Sequence, residues 1–117
     1  MSLSDKQWEF LKDFSLLISF CDRKGIKVTG GELYRTEYQQ KEYIKKGLSK
    51  TMKSKHLKRL AIDLNFFIKG KYVVNKKELQ FIGDFWESLN PKNKWGGNFN
   101  QGVKNGFIDT PHFEREE

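Results

Sequence analysis

The chain has 117 residues, with 22 Lys and Arg against 15 Asp and Glu, a formal net charge of +7. That length suits one domain with one core, and an aromatic share of 15% is too high for a disordered chain. A single cysteine excludes an intramolecular disulfide framework, and no apolar run approaches the roughly 20 residues of a membrane span.

In chain order, Ser4 and Gln7 form a capping box for a first helix, which Gly25 stops. Trp8, Leu11, Phe14 and Ile18 recur at helical spacing along it, and Trp8 and Cys21 are read as core. Ile26 to Tyr34 reads as extended. Thr36 and Gln39 form a second box, for a short helix ending at Gly47. Leu60 to Ile68 is a nearly continuous apolar strand, and Lys71 to Val74 pairs with it as a hairpin through Gly70. Asn75 caps a third helix with Glu78 as its box partner. Leu79, Ile82, Phe85, Trp86 and Leu89 form the apolar face of that helix, and Pro91 ends it. Asn90 to Gly106 carries five Asn and four Gly and reads as a loop, after which Phe107 to Glu114 forms a closing strand. Helices and strands follow one another without βαβ regularity, so the predicted fold is α+β, a small antiparallel sheet against three helices in one domain, 1–117.

Asp63 stands inside the apolar run, where a carboxylate without a partner would be costly to bury. His56, one of only two histidines, lies seven residues before it. An odd offset puts two residues of one straight strand on opposite faces, so the pair converges only if His56 lies on the turn entering the strand. The other histidine, His112, follows Asp109 and Pro111 in an irregular segment able to aim Asp109 and His112 into one site. Two His and one Asp suit a zinc ion that keeps an open position for water. An incidental surface histidine and a turn-capping aspartate are the alternatives, and neither HExxH nor CxxC is present.

The segment Ser54-Lys55-His56-Leu57-Lys58-Arg59-Leu60-Ala61-Ile62-Asp63 resembles the S-x-H-x-x-G-x-A-x-D signature of the VanY-like zinc peptidases. That family includes D-Ala-D-Ala carboxypeptidases and the L-alanyl-D-glutamate peptidases that serve as phage endolysins. Asp109 to Glu114 resembles its D/E-x-x-H segment, Trp95-Gly96-Gly97 its W-G-G element, and Gly31 to Thr36 its G-x-R-T strand end. Arg59 departs from the pattern by replacing its glycine.

The resemblance implies that His56, Asp63 and His112 hold one Zn²⁺, with Asp109 as general base and Arg35 clamping a substrate carboxylate or the oxyanion. It places Ser54, Trp95 and Glu114 around the ligands or the substrate. The implied partner is the peptidoglycan stem peptide, cut between L-Ala and D-Glu, or alternatively before a terminal D-Ala. The chain is then expected to be a monomer, made in the host cytoplasm without a signal peptide and released by a holin to act at the wall. A different class of reading makes the +7 chain a nucleic-acid or polyanion-binding module; the peptidase reading expects no nucleic acid.

Overall fold

In the computed structural model, residues 1–49, 52–99 and 108–117 are described. Helix α1 (Leu3–Arg23) leads into strand β1 (Lys27–Gly30) and helix α2 (Glu37–Lys45). A 3₁₀ turn at Lys55–Lys58 enters β2 (Ala61–Ile68), followed by β3 (Lys71–Val73) and α3 (Lys76–Leu89). Strand β4 (Asn93–Trp95), a turn at Gly96–Asn98 and β5 (His112–Arg115) complete the described elements.

β2 organises the sheet. β1 lies antiparallel along one of its edges, pairing Gly30 with Leu64 and Lys27 with Phe67. β5 and β3 share the other edge in succession, β5 opposite Ala61–Asp63 and β3 opposite Phe66–Ile68. β4 extends the sheet beyond β5. The β2–β3 hairpin turns on Lys69 and Gly70, both at positive φ (52° and 78°), as a two-residue turn matched to strand twist requires. The architecture is α+β, as the order of elements implies.

One face of the sheet, through Leu64, Phe66 and Phe113, packs with Phe10, Leu17 and Cys21 of α1 and Leu79, Ile82 and Trp86 of α3. Trp86 is fully buried between the edges of Phe10 and Phe113. On α3, Asn75 Oδ1 accepts from the backbone N–H groups of Lys77 and Glu78, and Phe85 and Leu89 flank the core. Thr36 and Gln39 close their box reciprocally.

Several expectations are corrected. The cap of α1 is Ser2, boxed with Asp5, while Gln7 Nε2 donates to the Lys58 carbonyl. The sequence carries overlapping cap patterns, and the earlier one adds two residues, about half a turn. The buried stripe of α1 is Phe10, Leu17 and Cys21 with Phe14 partly buried, so Trp8 is 60% exposed rather than core. β1 is shorter than the extended stretch that contains it, and β5 starts only at His112, because Pro111 cannot donate to a ladder. The loop from Asn90 contains β4, paired with β5. Residues 100–106 of that loop, and Phe107 of the expected closing strand, lie outside the described residues.

Candidate metal centre

Asp63 and His112 are directly opposed in the β2–β5 ladder, which brings residues far apart in sequence side by side. His56 arrives from the 3₁₀ turn before β2, so the odd offset from Asp63 imposes no conflict. Ser54 caps that turn, its Oγ accepting from the His56 backbone N–H at 3.3 Å. Arg59 ends it in the left-handed conformation (φ 55°, ψ 37°), which explains why the resembling signature has glycine there. Its guanidinium carbon lies 4.3 Å from the Tyr34 ring centre.

Asp63 Oδ1 stands 3.3 Å from His56 Nε2 and 3.5 Å from His112 Nδ1. One ligand atom from each of the three residues falls within 4.8 Å of the others, so the set can hold a metal ion. Each imidazole is anchored through its other nitrogen. His56 Nδ1 is 2.9 Å from the Leu33 carbonyl, which can only accept, so Nδ1 carries the proton and Nε2 presents a lone pair. His112 Nε2 is 2.7 Å from Glu114 Oε1, which likewise frees Nδ1 to face Asp63.

These residues fit a divalent cation. Among the described residues, the buried atoms His56 Nε2 and Asp63 Oδ1 find no hydrogen-bond partner, a costly arrangement unless a third group satisfies both. Ligand atoms about 2.0–2.1 Å from a tetrahedral zinc lie roughly 3.3–3.4 Å from one another, close to the separations here. Without a metal, the cluster is organised by charge. Burial opposes ionisation of Asp63, but the adjoining imidazoles of His112 and His56 outweigh it and hold its carboxyl below the usual range. Burial would likewise depress His112, yet Asp63 and Glu114 raise its pKa to about 9.

Asp109 is partly buried beside the cluster. Its backbone bridges two site segments: its N–H donates to Gly96 O (3.0 Å) and its carbonyl accepts from the His112 N–H (3.1 Å). Burial raises the pKa of its carboxyl, which also feels the charges of His112, Asp63, His56 and Arg35. Gly96 is essential to this packing, since a Cβ there would lie 2.0 Å from Asp109 O and 2.9 Å from His112 Cβ.

Trp95 is fully buried and donates from Nε1 to Thr110 O at 2.8 Å, fixing the segment between Asp109 and His112. Its ring is pressed between Gly83 and Gly97, where added Cβ atoms would come within 2.1 and 2.3 Å. It therefore supports the site from the core and does not line the cleft.

Arg35 is 8% exposed and already engaged. Its Nε and Nη2 both donate to Glu32 Oε1, its Nη1 donates to Gln40 Oε1 at 2.6 Å, and its guanidinium carbon sits 4.4 Å from the Tyr43 ring centre. Ser54 Oγ lies 3.5 Å from Nη1. The sequence reading missed Glu32, whose Oε2 accepts from the Tyr43 hydroxyl at 3.0 Å and whose Oε1 is 4.0 Å from His56 Nδ1. Only its place in the Gly31-to-Thr36 element hinted at a role.

Residues 15–115 match the family model described as phage L-alanyl-D-glutamate peptidase. The chain is 31% identical over 103 residues to the L-alanyl-D-glutamate peptidase of Listeria phage A118, which covers 84% of this chain and 34% of that protein. It thus spans about a third of that relative's length. The crystal structure of the L-Ala D-Glu endopeptidase ChiX of Serratia marcescens superposes with a TM-score of 0.72 at 20% identity, covering 92% of this chain and 78% of the other. The fold is shared with that enzyme, and the chain belongs to the phage L-alanyl-D-glutamate peptidase family.

Proposed function

We propose that this chain is a zinc-dependent endopeptidase that hydrolyses the L-Ala–D-Glu bond of the peptidoglycan stem peptide at the bacterial cell wall. The observation that carries the reading is the pair of unsatisfied buried atoms, His56 Nε2 and Asp63 Oδ1, facing His112 Nδ1 in a member of this family.

His56, Asp63 and His112 would hold the ion. When bound, zinc supplies Lewis-acid chemistry and a water whose pKa falls to about 7. Asp109 is the general base: its carboxylate accepts a proton from the attacking water and returns it to the leaving amine nitrogen. Its raised pKa strengthens it as a base. Leu33 O and Glu114 fix the imidazole orientations, and Ser54 fixes the turn that presents His56. Arg35, oriented by Glu32 and Gln40, would bear on a substrate carboxylate or the developing oxyanion from that fixed position.

The test is chelation followed by zinc reconstitution on purified peptidoglycan. Release of new amino termini should cease after chelation, return with zinc, and be absent in Asp109→Asn at full metal content. Activity indifferent to chelation would overturn the metal-dependent reading.

A further inference from the structure

Asp63, Asn65 and Phe67 alternate along β2 and therefore share one face of the sheet, the face opposite the core residues Leu64 and Phe66. In the ladder, Phe67 is flanked by Lys27 of β1 and Tyr72 of β3, so those side chains join the same face. The contacts agree. Lys27 Nζ is 4.6 Å from the Phe67 ring centre, the Phe67 and Tyr72 rings are 5.5 Å apart, and Tyr72 OH is 3.3 Å from Asn65 Oδ1. Tyr72 is 55% exposed. The metal centre thus continues, on one side of one sheet, into an aromatic platform carrying a cation. Four residues of strand separate Asp63 from Phe67, about 13 Å.

Tyr72 is exposed and Phe67 partly buried, and neither belongs to the core cluster of the described residues. From this placement we propose that Tyr72, Phe67 and Lys27 form a glycan subsite, taking pyranose rings of the sugar polymer that bears the stem peptide cut at the metal centre. This rests on the peptidase reading above. The weakly positive C–H face of a pyranose matches the negative face of an aromatic ring. The Lys27 ammonium and the Tyr72 hydroxyl can bond the ring hydroxyls. A platform about 13 Å from the ligands suits a polymer running past the scissile bond more than the peptide side chains beside it.

The test compares wild type, Tyr72→Ala, Tyr72→Phe and Lys27→Gln as zinc-loaded full chains on two substrates: intact peptidoglycan and a synthetic stem peptide without sugar. Tyr72→Ala should lower kcat/KM on peptidoglycan roughly tenfold, the scale of losing one aromatic stacking partner, and leave the free peptide unchanged. Tyr72→Phe should restore most of the loss, and Lys27→Gln should fall between. A loss shared equally by both substrates would mark a structural role and overturn the proposal, as would no loss on either. A second readout needs no catalysis: peptide-free glycan strands should shift the Tyr72 and Phe67 ring resonances of the metal-free protein. Strands that bind Tyr72→Ala as well as wild type, released by salt alone, would mean attraction of charge and not a sugar site. Wild type that cleaves neither substrate would instead count against the peptidase reading itself.

Discussion

His56 Nε2 and Asp63 Oδ1 face each other across 3.3 Å, both buried and neither hydrogen-bonded among the described residues. A fold maintains such a pair when something binds between them. His56→Ala should therefore remove stoichiometric zinc, read by elemental analysis after gel filtration. In wild type, zinc at 100 times its Kd should stabilise the fold by about 2.7 kcal/mol. Calorimetry with and without zinc measures this, and an unchanged Tm would count against the site.

The metal-free cluster should respond to pH in a defined direction. The His112 pKa of about 9 lies above the unfolded value of about 6.5. Its stabilisation is therefore complete below about pH 6.5 and is lost as pH rises toward 9. Asp63, held below the ordinary carboxylate range, contributes above about pH 4 and loses its contribution on acidification. The Tm of metal-free protein should fall between pH 6.5 and 9, while zinc affinity rises as His112 Nδ1 gives up its proton. Glu114→Gln should lower the His112 titration midpoint. An imidazole NMR titration checks both, and a midpoint near 6.5 in wild type would refute the assignment.

Asp109→Asn keeps the size of the side chain but cannot take a proton. Turnover should fall 10²- to 10⁴-fold, the usual range for a lost general base, with metal content unchanged. Because burial raises the Asp109 pKa, the acid limb of kcat/KM in wild type should lie above the roughly 3.9 of an ordinary aspartate. Retained activity in Asp109→Asn would remove it from the mechanism.

Much of this site was legible because its spacing is rigid. A turn that ends in one left-handed residue and feeds a strand fixes His56 against Asp63, and that shows in the sequence as Ser54 through Asp63. The boxes at Thr36 and the stripe of α3 were equally legible, since local hydrogen bonds and helical periodicity decide them. The choice of side-chain partners was not. Arg35 is held by Glu32 and Gln40, three and five residues away, because the non-helical stretch before Thr36 and the first turns of α2 face them together, and that geometry has no periodic pattern in the sequence. The start of α1 is ambiguous in the sequence because Ser2 with Asp5 and Ser4 with Gln7 offer competing boxes two residues apart. Trp8 misled because its bulk suggested core, whereas the stripe that packs against α3 runs through Phe10, Leu17 and Cys21.

Arg59→Gly tests the departure from the family signature. Glycine relieves roughly 1 kcal/mol or slightly more of left-handed strain. It gives back a similar amount in chain entropy and in the lost contact with Tyr34. The net change in stability should stay within about 1 kcal/mol, with activity retained, by denaturant titration and peptidoglycan turnover.

Gly96→Ala should behave in the opposite way. Its Cβ would enter the space of Asp109 O and His112 Cβ, so the backbone must move. Overpacking of this kind costs about 1–3 kcal/mol or more. Zinc affinity should fall with stability, since both depend on the same segment. A variant with unchanged Tm and full zinc content would show that the packing tolerates a methyl group.

The central claim is the bond that is cut. Purified peptidoglycan should be digested with zinc-loaded protein and the products identified by mass spectrometry. The account predicts stem fragments with a new N-terminal D-Glu and glycan strands that retain L-Ala. Free D-Ala as the sole product, or intact stem peptides with zinc fully loaded, would contradict it.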